Sequence, residues 1–463
     1  MSINLLRCCI TATTLVGICN PHLSAFHLSA QNPIVPPGKY CADPSAHQWL
    51  PPHGGTEGGP LYVYGSRDEA IDHYCSYHYD VWSTTDMKTW TCHPDVFSSK
   101  GTHDEVKYSE ELLFAPDCIL RDGTYYLYYS QGGERDVEGV ATSSSPVGPF
   151  KDGTLIRKAE QIDPAAFIDD DGTPYLFFGQ FSAKMAILKP NMKEIDVHTL
   201  RDSIITEAGH FFHEGIQAIK HGDYYYLVYA YIGRRGMPTC IGYSMSKNIY
   251  GPYEHKGVIV DNFGCDPYVW NNHGSIAEFN GQWYVFYHRS TNGSERMRKA
   301  CVEPIHFNPD GTISEVEMTT QGAAGPLNPF QRMEAERTCY LTGSARISLT
   351  SPDNEMLTNI ENLNTAAFKY FDFKRQPQRI TMCVVPQHGG TIEVYANTLS
   401  LPLLATIQVP EGNGNDPILI TQDISPITPF PSTADITGIR PIFLRFRGEE
   451  GQQLFKLDWF QFE

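Results

Sequence analysis

Residues 163–180 read DPAAFIDDDGTPYLFFGQ, and the interpretation of this stretch decides the fold. It passes from an acidic residue beside proline, through a short apolar run and an Asp-Gly turn, into an aromatic strand. Such a turn between β-rich runs marks a hairpin. Working outward, the same order recurs in APDCILRDGTYYLYYS (115–130), HEGIQAIKHGDYYYLVYA (213–230) and NHGSIAEFNGQWYVFYHRS (272–290). A fifth copy, CADPSAHQW to LYVYGSRD (41–68), carries a longer Gly/Pro-rich turn. The lead residues Asp43, Asp117, Asp163, Glu214 and His273 are 74, 46, 51 and 59 residues apart. Those intervals suit four-stranded units with loop insertions, and five units predict a five-bladed β-propeller. A sandwich alone would give short strands without this self-similarity.

The pattern stops near GAAGPLNPFQ (322–331), where small residues and proline take over. Beyond it, RITMCVVP, GTIEVYAN, ATIQV and PIFLRFRG are short alternating strands between Gly, Pro and Asn turns, which predicts a β-sandwich (jelly-roll). Before it, Arg7, an apolar run from Cys8 to Cys19, and Leu-Ser-Ala triplets ending at Ala25 and Ala30 form an export leader. The expected division is therefore a signal peptide at 1–30, a propeller at 31–325 and a sandwich at 331–463. An exported protein, periplasmic or extracellular, follows. Lipidation of Cys19 is the less favoured reading, because Ile18 is a poor neighbour for it.

The apolar run is too short to span a bilayer and no later stretch qualifies. The formal net charge of −18 argues against nucleic acid and anionic membranes, whereas a neutral sugar is compatible with it. Nine cysteines follow the leader, an odd number with scattered spacing and no Cys-x-x-Cys. Buried free thiols are expected, with at most one or two bridges.

In a propeller the first strand of each blade lines the axis, so equivalent positions converge. Asp43 (DPSA), Asp163 (DPAA) and Glu214 (EGIQ) are read as equivalent lead positions. Three crowded carboxyls repel, so one should hold its proton while another stays ionised, as general acid and base work requires. Asp-Pro or Glu-Gly alone would merely start a turn. Three in register point to a site.

CADPS, IDPAAFIDDDG and HEGIQ resemble glycoside hydrolase family 43 over about residues 32–325, and NNHGSIAEFNGQWYVFYHRS resembles its arabinofuranosidase and β-xylosidase branch. The resemblance implies an exo-acting, inverting hydrolase that releases arabinofuranose or xylose from polysaccharide side chains or oligosaccharides. Asp43 would be the general base, Glu214 the general acid, and Asp163 the group that tunes Glu214. His273 and Arg289 match positions that reach the sugar, a structural salt bridge being the other reading of Arg289. Phe114, in FAPD, stands where tryptophan is usual. His288, in YHR, resembles an axial histidine beside a calcium or sodium ion, with a satisfied core histidine as the alternative. MEAE (333–336) and LDWFQFE (457–463) resemble a family 6 carbohydrate-binding module, in which Glu334, Glu336 and Asp458 would hold a structural calcium. No cofactor is needed for the chemistry. Few loop aromatics in that module imply weak glycan binding. Insertions at 68–80 and 231–238 are expected to close the mouth into a pocket.

Two other functions compete. A fructoside- or galactoside-cleaving hydrolase of another propeller family would need a Glu-Cys acid and an Asn-Asp-Pro-Asn context, which HEGIQ and CADPS do not supply. A silent glycan-binding propeller has no need of three crowded carboxyls.

Overall fold

A computed structural model describes residues 31–49, 58–132, 137–425 and 435–463, together with the backbone of Ala25–Phe26. The rest of the expected leader lies outside the described residues. Turn chemistry sets the strand pairs. Asp122-Gly123 and Asn280-Gly281 have φ of 50° and 77°, and of 50° and 83°, so each closes a two-residue hairpin in which both central residues are left-handed.

The strands group into successive antiparallel sheets. β1 (Ala25–Phe26), β2 (Ala42–Gln48), β3 (Leu61–Ser66), β4 (His78–Thr84) and β5 (Trp90–Ser98) order as β1-β5-β4-β3-β2. β6 (Leu113–Arg121), β7 (Thr124–Gln131), β8 (Val137–Ser143) and β9 (Lys151–Leu155) form a four-stranded meander. A third sheet has β10 (Ala165–Ile168), β11 (Pro174–Phe178) and β12 (Lys184–Ile187). The fourth has β13 (Phe212–His221), β14 (Tyr224–Tyr231), β15 (Cys240–Ser246) and β16 (Glu254–Asp261). β17 (Ser275–Phe279), β18 (Gln282–Thr291) and β19 (Ser294–Ile305) make the fifth.

Apolar cores lie between consecutive sheets, and the circle closes: Ala277, Phe279 and Phe286 of the fifth sheet pack with Val63 and Trp82 of the first. Polar links follow the same circle. Asp117 Oδ2 accepts from the N–H of Ala166 at 2.7 Å, Gln217 Oε1 from Ile276 at 2.8 Å, and Ser275 Oγ from Ala46 at 3.0 Å. Asp117 therefore serves the scaffold.

Eleven further strands follow. β20 (Met333–Glu334), β21 (Tyr340–Leu341), β22 (Arg346–Ser351), β23 (Asn354–Thr358), β24 (Thr365–Phe373), β25 (Arg379–Pro386), β26 (Gly390–Ala396), β27 (Leu403–Val409), β28 (Ile418–Asp423), β29 (Gly438–Arg447) and β30 (Phe455–Phe462) form two sheets. Their orders are β22-β23-β30-β25-β28, with β20 on β30, and β21-β24-β29-β26-β27. Both sheets share one core that includes Phe368, Phe371, Phe460 and Phe462.

This C-terminal pair is joined to the first five sheets by buried polar contacts. Lys299 on β19 meets Glu355 on β23 at 2.7 Å, with side chains 2% and 1% exposed. All nine cysteines among the described residues are buried free thiols, so disulfides contribute nothing to this part of the chain.

Ser275 accepts from Ala46 and donates to the carbonyl of Pro44 at 2.8 Å, closing the circle between the fifth and first sheets. Ser275→Ala leaves two buried backbone groups unpaired. It should lower unfolding free energy by about 2 kcal/mol in urea titrations; an unchanged midpoint would refute a role in closure.

Candidate active site

The site grows from one local irregularity repeated around the circle. β2, β6 and β13 each carry a bulge, between Ala42 and Ser45, Phe114 and Asp117, and Glu214 and Gln217. Within the bulges Asp43, Ala115 and Gly215 turn left-handed, with φ of 52°, 32° and 69°; Asp163, before β10, does so at 62°. Non-glycine residues pay about 1–2 kcal/mol for that conformation. Each kink is held by the sheet before it. The N–H of Ala115 donates to Ser66 Oγ at 2.8 Å, that of Asp163 to Ser130 Oγ at 2.8 Å, that of Gly215 to Asp163 Oδ2 at 3.0 Å, and that of Asp43 to His288 Nδ1 at 3.2 Å.

This register corrects the reading of equivalent positions. Asp43, Ala115, Asp163, Gly215 and His273 correspond, so Glu214 stands one residue earlier, with Phe114 and Ile162, and Asp117 two later. The bulge shifts each side chain by one place relative to the turn, which counting from the turn glycine could not detect. Asp43, Asp163 and Glu214 nevertheless line one cavity of about 350 Å³, beside Phe114, His273 and Arg298.

Arg298 organises the charges. Its Nη1 meets Asp43 Oδ1 at 2.8 Å, while Nε and Nη2 clasp Asp68 at 2.9 Å each. Burial would push Asp43 up, but Arg298, His273, His288 and the Ser66 hydroxyl (2.7 Å to Oδ2) together hold it below its ordinary value. Asp163 goes the opposite way: burial, then repulsion from Glu214 and Asp43, raises it well above the usual carboxylate range. Of the three carboxyls, one is thus favoured as the anion and another as the neutral acid. Gln180 Nε2 donates to Glu214 Oε2 at 2.8 Å and fixes that side chain.

Several expected residues sit differently. Arg289 does not reach the cavity: it is 1% exposed and donates to Tyr287 Oη at 3.2 Å, to the Thr319 carbonyl, and to the Thr338 carbonyl at 3.4 Å. β18 alternates, so neighbouring His288 and Arg289 face opposite ways. His288 does not fit an ion ligand as placed. Nδ1 accepts from Asp43, Nε2 faces Asn271 oxygens at 3.1 and 3.2 Å, and burial with Arg298 pushes its pKa down to about 3. His273 does lie in the site, its Nδ1 3.6 Å from Asp43 and 3.9 Å from Asp163.

The insertion at 68–80 supplies Tyr74 to the cavity. The 231–238 insertion does not line it; Trp270 and Asn271, from the loop before β17, do. Arg298, Gln180, Trp270 and His213 were not found by sequence reasoning. Arg298 gave no signal of its own, because it stands in SERMRKACVEPI (294–305) between two other basic residues, Arg296 and Lys299.

In the C-terminal pair, Glu336 is buried and its Oε2 lacks a hydrogen-bond partner. Burial, opposed by Arg337 and reinforced by Glu334 and Glu355, pushes it up to about 8. Such an oxygen fits a hard cation. Glu334 is bound to Arg332 at 2.6 Å, and Asp458 Oδ1 accepts from Asn354 at 3.1 Å, so the three are not gathered as ligands.

Comparison with known proteins agrees with this chemistry. Residues 47–313 match glycosyl hydrolases family 43, and residues 334–463 match the carbohydrate binding module of family 6. A xylosidase/arabinosidase of Thermoclostridium stercorarium is 30% identical over 74% of this chain and 83% of its own. An arabinoxylan arabinofuranohydrolase of Bacillus subtilis (strain 168) is 25% identical over 95% of this chain and 93% of its own. The crystal structure of a Bacillus subtilis family 43 arabinoxylan arabinofuranohydrolase in complex with cellotetraose superposes with a TM-score of 0.53 at 25% identity, covering 94% and 99% of the two chains.

Gly215 is where the kink leaves no room. A Cβ there would lie 2.6 Å from Cδ2 of His273, at a φ of 69°. Gly215→Ala should cost about 2 kcal/mol from the backbone alone and displace His273. Unchanged activity together with an unchanged melting temperature would contradict this packing.

Proposed function

The chain belongs to glycosyl hydrolases family 43 and is a glycoside hydrolase; from that premise we propose that it is an exo-acting, inverting enzyme that releases arabinofuranose or xylose from plant polysaccharide side chains or oligosaccharides. The observation that carries the reading is the convergence of three carboxyls on one cavity, with Asp43 2.8 Å from Arg298 and held below its ordinary value, and Asp163 raised by burial and by its neighbour Glu214. Asp43 takes a proton from the attacking water. Glu214, steadied by Gln180, protonates the leaving oxygen, and Asp163 shares with it a site too crowded for both carboxyls to ionise at once. Inversion requires room for that water between base and acid, roughly 6.5–9.5 Å. His273, Phe114, Tyr74 and Trp270 bind the sugar.

The five sheets are five blades of a propeller at 31–325, and the C-terminal pair is a jelly-roll sandwich at 331–463. Residues 1–30 direct export to the periplasm or beyond. No helix among the described residues is long and apolar enough to cross a membrane. Glu336, with Glu334 and Asp458 freed from their present partners, holds a structural calcium that takes no part in the chemistry. If so, EDTA lowers the melting temperature of the wild type and leaves that of Glu336→Gln where it is; equal behaviour of the two rejects the ion.

A panel of 4-nitrophenyl glycosides identifies the sugar. Activity should follow a bell whose acid limb lies below the ordinary carboxylate range, because Asp43 ionises early, and whose alkaline limb reports loss of the proton beside Asp163. Glu214→Gln should lose about 10²–10⁴-fold on natural linkages yet spare 2,4-dinitrophenyl glycosides. Asp43→Asn should lose both, and azide should rescue only the Asp43 variant. The reverse pattern exchanges the roles.

A further inference from the structure

Eight aromatic side chains are strongly exposed among the described residues, and four of them share one place: Phe263 (44%), Tyr268 (56%), Trp270 (40%) and Tyr340 (41%). Single exposed apolar groups are ordinary, whereas a cluster asks for a partner. Phe263, Tyr268 and Trp270 belong to the loop between β16 and β17. Tyr340 comes from the C-terminal pair and lies on that loop, where a Cβ on Gly264 would sit 2.6 Å from its Cε2. The Leu341 N–H donates to the Gly264 carbonyl at 2.7 Å, and the Arg346 guanidinium covers Tyr268 at 5.2 Å. The loop is thereby clamped to the second part of the molecule, while its far end delivers Trp270 and Asn271 to the catalytic pocket.

Beneath Phe263 and Tyr340 is a cleft of about 490 Å³ between the two parts, also lined by Arg234, Glu315, Glu317 and Lys369. Its charges cancel among themselves. Arg234 is bidentate to Glu315 at 2.7 and 2.8 Å and reaches Asp261 at 3.1 Å, Arg235 also pairs with Asp261, and Lys369 lies 3.5 Å from Glu317. Three cations face three anions, so a charged ligand gains nothing from net attraction. What the cleft offers is two half-exposed rings, Tyr340 and a Phe263 that carries the Arg235 guanidinium on one face at 4.2 Å, rimmed by fixed hydrogen-bonding groups, which suits an uncharged pyranose chain.

We propose that this interdomain cleft is a second glycan-binding site, in which Phe263 and Tyr340 hold the neutral main chain of the same polysaccharide whose side-chain sugar enters the catalytic pocket. The proposal rests on the glycosidase reading above and adds to it a preference for polymer. Seven residues separate Phe263 from Trp270, a reach of at most roughly 25 Å of extended chain, so one polymer can occupy both. Neither part of the molecule contains the whole cleft, which agrees with the shortage of loop aromatics in the C-terminal sequence.

The test compares full-length wild type with Phe263→Ala/Tyr340→Ala. On soluble arabinoxylan the double variant should lose about tenfold in kcat/KM through KM. On the 4-nitrophenyl glycoside that the wild type cleaves, it should stay within about twofold. In native gels containing arabinoxylan, Glu214→Gln protein should be retarded, and the added pair of substitutions should abolish the retardation. Phe263→Ala alone, which keeps the Tyr340–Gly264 contact, should move in the same direction with an unchanged melting temperature. Retardation and polymer KM that survive the double substitution overturn the proposal. Retardation that depends on Phe263 and Tyr340 in an enzyme that cleaves no arabinoside or xyloside upholds the cleft and removes the sugar assignment alone.

Discussion

Four backbone N–H groups, each at a left-handed kink and each captured by a side chain of the preceding sheet, hold the catalytic pocket in place. The kinks turn the innermost chain segments so that side chains before and at the bend face one cavity. Without the captured N–H the conformation would be strained and a buried donor would be unpaired, so kink and partner stand or fall together. Asp163 serves twice: its own N–H is captured by Ser130, and its carboxylate captures Gly215, the residue after Glu214. The Asp163 carboxyl is tied to the backbone next to Glu214.

Charge is settled in the same frame. Arg298 is almost fully buried and divides its donors between Asp43 and Asp68. A buried pair of this kind is weak evidence for stability, since its desolvation is expensive. In this frame it favours the anion at Asp43, while burial and repulsion raise Asp163 nearby. Asp68, which burial pushes upward against the pull of Arg298, bears part of that cost.

Much of this was legible in the sequence, and the limits were physical. The hairpin turns announced themselves because Asp-Gly and Asn-Gly have few other uses between aromatic runs, and Asp43 and Asp163 were found because proline follows both. Glu214 was found through its motif while its register was misjudged, because a bulge adds a residue that composition does not mark. Gln180 escaped as a lone polar residue beyond the end of an apolar run, and Arg298 as one of three basic residues in SERMRK (294–299) that nothing local tells apart; only the closing of the circle brings them to the pocket. Arg289 was named through its resemblance to a sugar-reaching position, and the motif carries no sign of which face of its strand turns inward.

Arg298 and Lys299 are neighbours on one strand with opposite outlooks, one toward Asp43 and the other toward Glu355 of the C-terminal sheets. Breaking a buried ion pair by deleting one partner costs about 3–5 kcal/mol, more than a domain of ordinary stability can readily spare. In evolutionary terms, the catalytic part cannot be shuffled freely onto a new companion. A recombinant that exchanged the C-terminal module for one without this carboxylate would leave the Lys299 ammonium with only the Pro36 carbonyl, beside the guanidinium that holds Asp43. The junction is therefore a filter on domain recombination, written in a single lysine.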